Sequence, residues 1–285
     1  MANNPRFCGD CGTELVSVYD RFCTTCGREA RHTAGGFLPT GTRDNSVATT
    51  CLGSYQSPKT RSAWTLIFFA GLTAVVLASF ISTFAEIGLL QRVADGEFVP
   101  ERELLANDDR QSVIGGITLL VYIGLIIAFC IWVHRAAKNL EALNVVGQRF
   151  SPRWAVGWWF VPFMNLFRPY QVVKEIWKGS DPRVTAEDSS AWRNAPTSVL
   201  LGWWWGIWIV SNLINNGVGR VFRSSDTSLD ELITADYFSM IGDGLTIVAA
   251  VLAFILVRGI TSNQNAKYLN LRNITETPSA SEGRV

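Results

Sequence analysis

Four long apolar runs constrain this chain more than anything else in it. Ala63 to Ala85 (AWTLIFFAGLTAVVLASFISTFA) and Val113 to Val133 (VIGGITLLVYIGLIIAFCIWV) contain no Asp, Glu, Lys or Arg. A third run lies within Ala195 to Gly219 and contains LLGWWWGIWIVSNLI, and the fourth, Tyr237 to Val257, carries one acid, Asp243. Crossing about 30 Å of hydrocarbon takes roughly 20 helical residues, so all four read as transmembrane helices. A soluble domain would spread its apolar residues over amphipathic helices and alternating strands. Here 48% of the 285 residues are hydrophobic and only 17% are charged, in keeping with a membrane protein. The expected helices span about 63–88, 112–135, 196–216 and 237–258. The first run begins beyond residue 62 and exceeds the apolar region of a signal peptide, so it reads as a retained anchor.

Lys and Arg set the orientation, because cytoplasmic loops near helix ends carry them in excess. With four crossings, one side receives only Arg92, Arg102, Arg110, Arg220 and Arg223 of the 25 basic residues. The other 20 fall on the side of both termini, which is therefore expected to be the cytoplasm.

The aromatic stretch PRWAVGWWFVPFMNLFRP, Pro152 to Pro169, tests that count. A crossing here would move every later segment to the opposite side and leave the basic residues almost evenly divided. Its uncharged part is also short, and Pro162 removes a backbone donor near its middle. The segment 153–178 is thus expected to leave by the face it enters, as a re-entrant dip or an interfacial helix. Arg153 and Arg168 would anchor it at the headgroups. In YQVVKEIWK, which follows, Val172, Val173, Ile176 and Trp177 form an apolar stripe, the pattern of a helix in the interface plane.

A weak repeat recurs at a spacing near 128 residues. Ser62-Ala63-Trp64 matches Ser190-Ala191-Trp192, and ELLANDDRQSVIGGITLL from Glu103 resembles ELITADYFSMIGDGLTIV from Glu231. Each copy would be a helical hairpin, the two related by an axis along the membrane normal.

Before the first helix, FCGDCG and FCTTCG supply Cys8, Cys11, Cys23 and Cys26. Two such pairs can close a tetrahedral shell of thiolates around Zn2+, with no position left open for catalysis. A reducing cytoplasm disfavours disulfides here. So small a module cannot bury enough apolar surface to fold alone, and metal binding would supply its folding energy. The predicted domains are a zinc ribbon (1–31), a flexible Gly/Ser/Thr/Pro-rich linker (32–62), the transmembrane domain (63–270) and a disordered tail (271–285). Acids and bases balance within the ribbon and the net charge of the chain is only +1, which argues against nucleic acid and for a protein partner.

HRAAKNLEALN and FSPRWAVGWWFVPFMNLFRPYQVVKEIW resemble the signature of a bacterial four-helix membrane family, domain of unknown function 4328. The likeness extends over roughly Trp64 to Leu269. It implies a bacterial plasma-membrane location and four crossings, and carries no activity with it.

Two functions compete. One is a membrane-anchored adaptor or regulator whose ribbon binds a cytoplasmic protein partner, with Gly202-x-x-x-Gly206 available for close helix packing or a homo-oligomer. The other is a small transporter or channel using the broken segment around Pro162 and Asn165. Asn165, Arg168 and Asp243 are its candidate membrane-site residues, with Asp243 otherwise expected to cap a helix or pair with Arg110 or Arg220. Two histidines and no catalytic spacing speak against an enzyme.

Overall fold

A computed structural model describes residues 54–184, 191–221 and 228–276. Cys8, Cys11, Cys23 and Cys26 of the expected ribbon, the expected linker before residue 54 and the tail beyond residue 276 lie outside the described residues. The described chain is helical: α1 (Lys59–Ala94), α2 (Glu101–Ala142), α3 (Pro152–Gly157), α4 (Arg168–Gly179), α5 (Val199–Val221) and α6 (Leu229–Glu276). Single 3-10 turns occupy Met164–Leu166 and Ala191–Asn194.

Three helices, α1, α2 and α6, are long and apolar enough to cross a membrane. Helix α5 has 23 residues, about 35 Å at 1.5 Å per residue, and is rich in tryptophan. The 42 residues of α2 and 48 of α6 run roughly twice the hydrocarbon thickness. The helices therefore continue well past the apolar runs. Nothing between Val133 and Ala142 breaks α2, and α6 passes Val257 through a polar stretch that holds one glycine, Gly259, and no proline. The expected boundary at residue 270 also falls inside α6, and residues 59–62 belong to α1.

Terminal chemistry explains where the helices stop. Gly96 adopts a left-handed conformation (φ 79°), its N–H reaching the Val93 carbonyl while the Glu97 N–H reaches Arg92. Asn144 (φ 56°) ends α2 the same way, with Val145 N–H donating to the Leu140 carbonyl. Both closures satisfy carbonyls that a helix end otherwise leaves orphaned. Arg92 then bridges the turn between α1 and α2 through Glu97 and Glu103, at 3.0 and 2.7 Å.

Helix α1 packs on α2 and α6, and α6 packs on α5, giving the spatial order α2, α1, α6, α5. The repeat hypothesis requires a contact between α5 and α2 equivalent to the one between α1 and α6. Among the described residues α5 and α2 share no extensive direct contact; the aromatic segment lodges there instead. Along α2, Val113, Ile117, Leu120, Ile127 and Ile131 are exposed, as lipid-facing side chains would be.

Candidate functional site

Two constructions at the basic end of the bundle, where α1 and α5 begin and α2 and α6 end, combine buried polar or aromatic groups from several elements. The first is the wedge. Ser151 caps α3 with Pro152 in its first turn, and the chain then turns sharply through Pro162 and Phe163, whose φ of 61° is unusual for a bulky residue. The Trp159 ring lies 5.1 Å from Phe129 of α2, and 6.4, 5.9 and 6.1 Å from Trp204, Trp205 and Trp208 of α5. Trp205 Nε1 donates to the Leu166 carbonyl at 3.0 Å. One aromatic residue thus joins two helices that otherwise stand apart.

Both ends of the segment return to one place. Backbone N–H groups of Arg149 and Phe150 donate to the Glu175 carboxylate at 3.0 to 3.2 Å, and a Cβ on Gly179 would sit only 2.9 Å from Leu140. Burial of Glu175 pushes its carboxyl pKa up, against the pull of those two amides and of Arg149. The Arg168 guanidinium stacks over Trp158 at 5.4 Å and Phe150 at 6.0 Å and donates to Gln171. Arg168 is therefore engaged with its own chain. Val172, Val173 and Ile176 are 1–2% exposed and packed inside the bundle, so α4 buries its stripe in the protein where a helix in the interface plane would present it to lipid. The same amphipathic spacing serves either surface, and only packing distinguishes them.

The second construction is a buried polar hub that the apolar-run reading overlooks. Asn139 of α2 and Gln264 of α6 are fully buried. Asn139 Nδ2 donates to Gln264 Oε1 and to the Gln56 carbonyl, both at 3.0 Å. Gln264 Nε2 donates to the Ala136 carbonyl at 2.9 Å and to Ser180 Oγ at 3.2 Å. Ser180 Oγ in turn donates to the Ile176 carbonyl, and Lys267 Nζ to that of Gly179 at 2.9 Å, tying the end of α4 into the network. Such a network is stabilising only when every member is satisfied.

The same hub holds the segment that precedes α1. Tyr55 stacks on Tyr268 with ring centroids 4.3 Å apart and donates to Asn265 Oδ1 at 2.9 Å. Arg135 donates to the Ser54 carbonyl at 3.2 Å, and Ser57 Oγ to Asn265. Burial and the neighbouring Tyr268 push the Tyr55 phenol up to about 12. Residues 54–58, assigned from composition to a flexible linker, are thus docked. A clue was present in the sequence: Gln264, Lys267, Tyr268 and Leu271 recur at helical spacing directly after the fourth apolar run, with no proline between.

The candidate membrane-site residues are not brought together. Asn165 sits on the 3-10 turn of the wedge, Arg168 at the start of α4, and Asp243 on α6, three separate elements. Arg110, an expected partner of Asp243, donates instead to Ser82 at 2.8 Å and to Asn107. The Arg220 side chain lies outside the described residues. Gly202 and Gly206 have nothing within 4 Å of an added Cβ, so they make no close helix contact among the described residues. Among the described residues no group of three or more His, Cys, Asp or Glu is placed to hold a metal.

No curated protein and no solved structure matches the chain. The model of the family described as Domain of unknown function (DUF4328) matches residues 95–262, more than half of the chain and the part that contains α2, the wedge and α5. The chain belongs to that family.

Proposed function

We propose that the protein is a membrane-anchored adaptor or regulator of the bacterial plasma membrane, displaying a four-cysteine zinc ribbon to a cytoplasmic protein partner. Cys8, Cys11, Cys23 and Cys26 would hold the Zn2+ and give the ribbon its fold. Helix α5 is the fourth crossing, both termini are cytoplasmic, and 153–178 returns to the cytoplasmic face. Supporting that topology are the length of α5, the basic bias toward one side and the meeting of the two ends of the segment at Glu175.

The observation that carries the reading is the clamp on residues 54–58. A chain that merely tethered the ribbon would need no grip. Here Asn139, Arg135, Asn265 and Tyr268 fasten the last residues before α1 to the hub, so tension on the N-terminal module reaches α2 and α6 directly. The alternative, transport through the broken segment, finds less support. Asn165, Arg168 and Asp243, the residues expected to serve it, lie on separate elements.

Purified full-length protein should carry about one zinc per chain by metal analysis, following the four-ligand rule. It should also copurify with a soluble protein, and the Cys8→Ser/Cys11→Ser variant should lose both zinc and partner. Retention of the partner by that variant would defeat the adaptor reading. For topology, Phe98→Cys should react with an impermeant maleimide on intact cells and Arg183→Cys only after permeabilisation.

A further inference from the structure

Beside the hub, a cavity of about 280 Å3 opens between the cytoplasmic end of α6 and the turn after α4. Pro182, Val184, Leu271 and Ile274 line it with apolar surface, Asn270 and Asn273 add amides, and Lys267 adds a cation. Its size is at the small end of the roughly 300–1,000 Å3 typical of small-molecule sites.

Lys267 is the unusual group. It is only 3% exposed, yet an ammonium has three protons to donate and the Gly179 carbonyl takes one. The acid that acts on it through space, Asp181, is already occupied: Arg183 binds both of its oxygens, at 3.0 and 2.7 Å, and donates its backbone N–H as well. That pairing holds the Asp181 carboxyl below the usual carboxylate range and leaves Lys267 without a direct counter-ion among the described residues. Burial lowers the Lys267 pKa to about 8. A buried cation without a counter-ion is costly, and it is worth retaining where an anion arrives to meet it.

We propose that this cavity binds a small organic carboxylate with a short aliphatic body. The single cation suits one carboxylate, whereas a phosphate dianion would need more donors than apolar walls supply. With Arg258, the first cation after the apolar run, taken as the edge of the hydrocarbon, Lys267 lies nine residues or about 14 Å further along the helix and beyond the headgroup zone. The ligand therefore comes from the aqueous side and is not a lipid headgroup. Once bound, it would bridge α6 and the 179–184 turn, the same two elements that Lys267 and Asn270 already connect.

Isothermal titration of the full-length protein in detergent tests this with hexanoate, hexanol and inorganic phosphate. Hexanoate should bind one to one with a Kd of about 1 mM or tighter. The other two should give no saturable signal, and Lys267→Met should weaken hexanoate at least about tenfold. Ile274→Trp, at an exposed rim position, should occlude the cavity and abolish binding even if Lys267→Met fails to fold. The proposal is overturned by wild type that does not bind hexanoate, by equal binding of hexanol or phosphate, or by full affinity in the Ile274→Trp variant.

Discussion

The bundle has two seams that a duplicated hairpin should make equivalent, and they are built differently. Helices α1 and α6 meet directly, closed at the basic end by Asn139, Gln264 and the residues they hold. Helices α2 and α5 meet through an inserted segment whose aromatic rings substitute for a direct helix contact. The difference shows that two helices can be joined either face to face or through an inserted segment. A direct seam needs complementary helix faces, whereas a wedged seam needs large, flat, rigid side chains, and tryptophan supplies area with few rotatable bonds.

The wedged seam should be the easier to break. Trp159→Ala removes the ring that touches both α2 and α5 and should cost about 3 kcal/mol, read from denaturant unfolding in detergent. It should also increase hydrogen exchange in 152–167 before the α1 and α6 interface is affected. Equal loosening of both seams would mean that the wedge is not an independent element.

At the hub, which joins α2, α6 and the end of α4 beneath the direct seam, Gln264→Leu leaves Asn139, Ser180 and the Ala136 carbonyl without their shared partner and should cost about 1–3 kcal/mol. Asn139→Leu with Gln264→Leu should cost less than the sum of the two singly, the mark of direct coupling in a double-mutant cycle.

Two glycines sharpen the comparison along α6. A Cβ at Gly242 would collide with Asn215 Oδ1 of α5, whereas one at Gly244 meets nothing within 4 Å. Gly242→Ala should therefore destabilise by about 1 kcal/mol. Gly244→Ala should be neutral or stabilising by up to about 1 kcal/mol, since alanine is the better helix former.

The smallest effects concern pH, and they have opposite signs at Glu175, within α4, and at Asp181, just beyond its C-terminus. Glu175 has a folded pKa above its unfolded value of 4.5, so its contribution is fully present below 4.5 and is lost as pH rises through the folded value. Asp181 is held below its unfolded value of 3.8 by Arg183, so its contribution is present above 3.8 and is lost as pH falls through the folded value. Measured against Glu175→Gln and Asp181→Asn, wild-type stability should rise on acidification through the Glu175 folded pKa and fall below pH 3.8.

Much of the architecture could be read from the chain alone, because hydrocarbon imposes strict terms on composition. Uncharged runs such as Val113 to Val133 must be helices if they enter lipid, and family membership was legible in the aromatic segment. The zinc proposal for Cys8, Cys11, Cys23 and Cys26 rests on their spacing alone, since they lie outside the described residues. What escaped was wherever one pattern serves two surroundings. The stripe of Val172, Val173 and Ile176 fits lipid headgroups or a protein interior equally well. Polar residues such as Asn139, Gln264 and Lys267 look solvated until their partners, more than 80 residues away in the chain, close around them.

Local sequence therefore determined the helices, their apolar lengths and the punctuation at Gly96, Asn144 and Pro162, because backbone hydrogen bonding and chain solvation are decided within a few residues. Tertiary structure alone decided which helices touch, where the wedge enters, that residues 54–58 are held, and that Lys267 is buried beside a cavity. Those outcomes depend on contacts between segments far apart in the chain, and no short-range pattern encodes them.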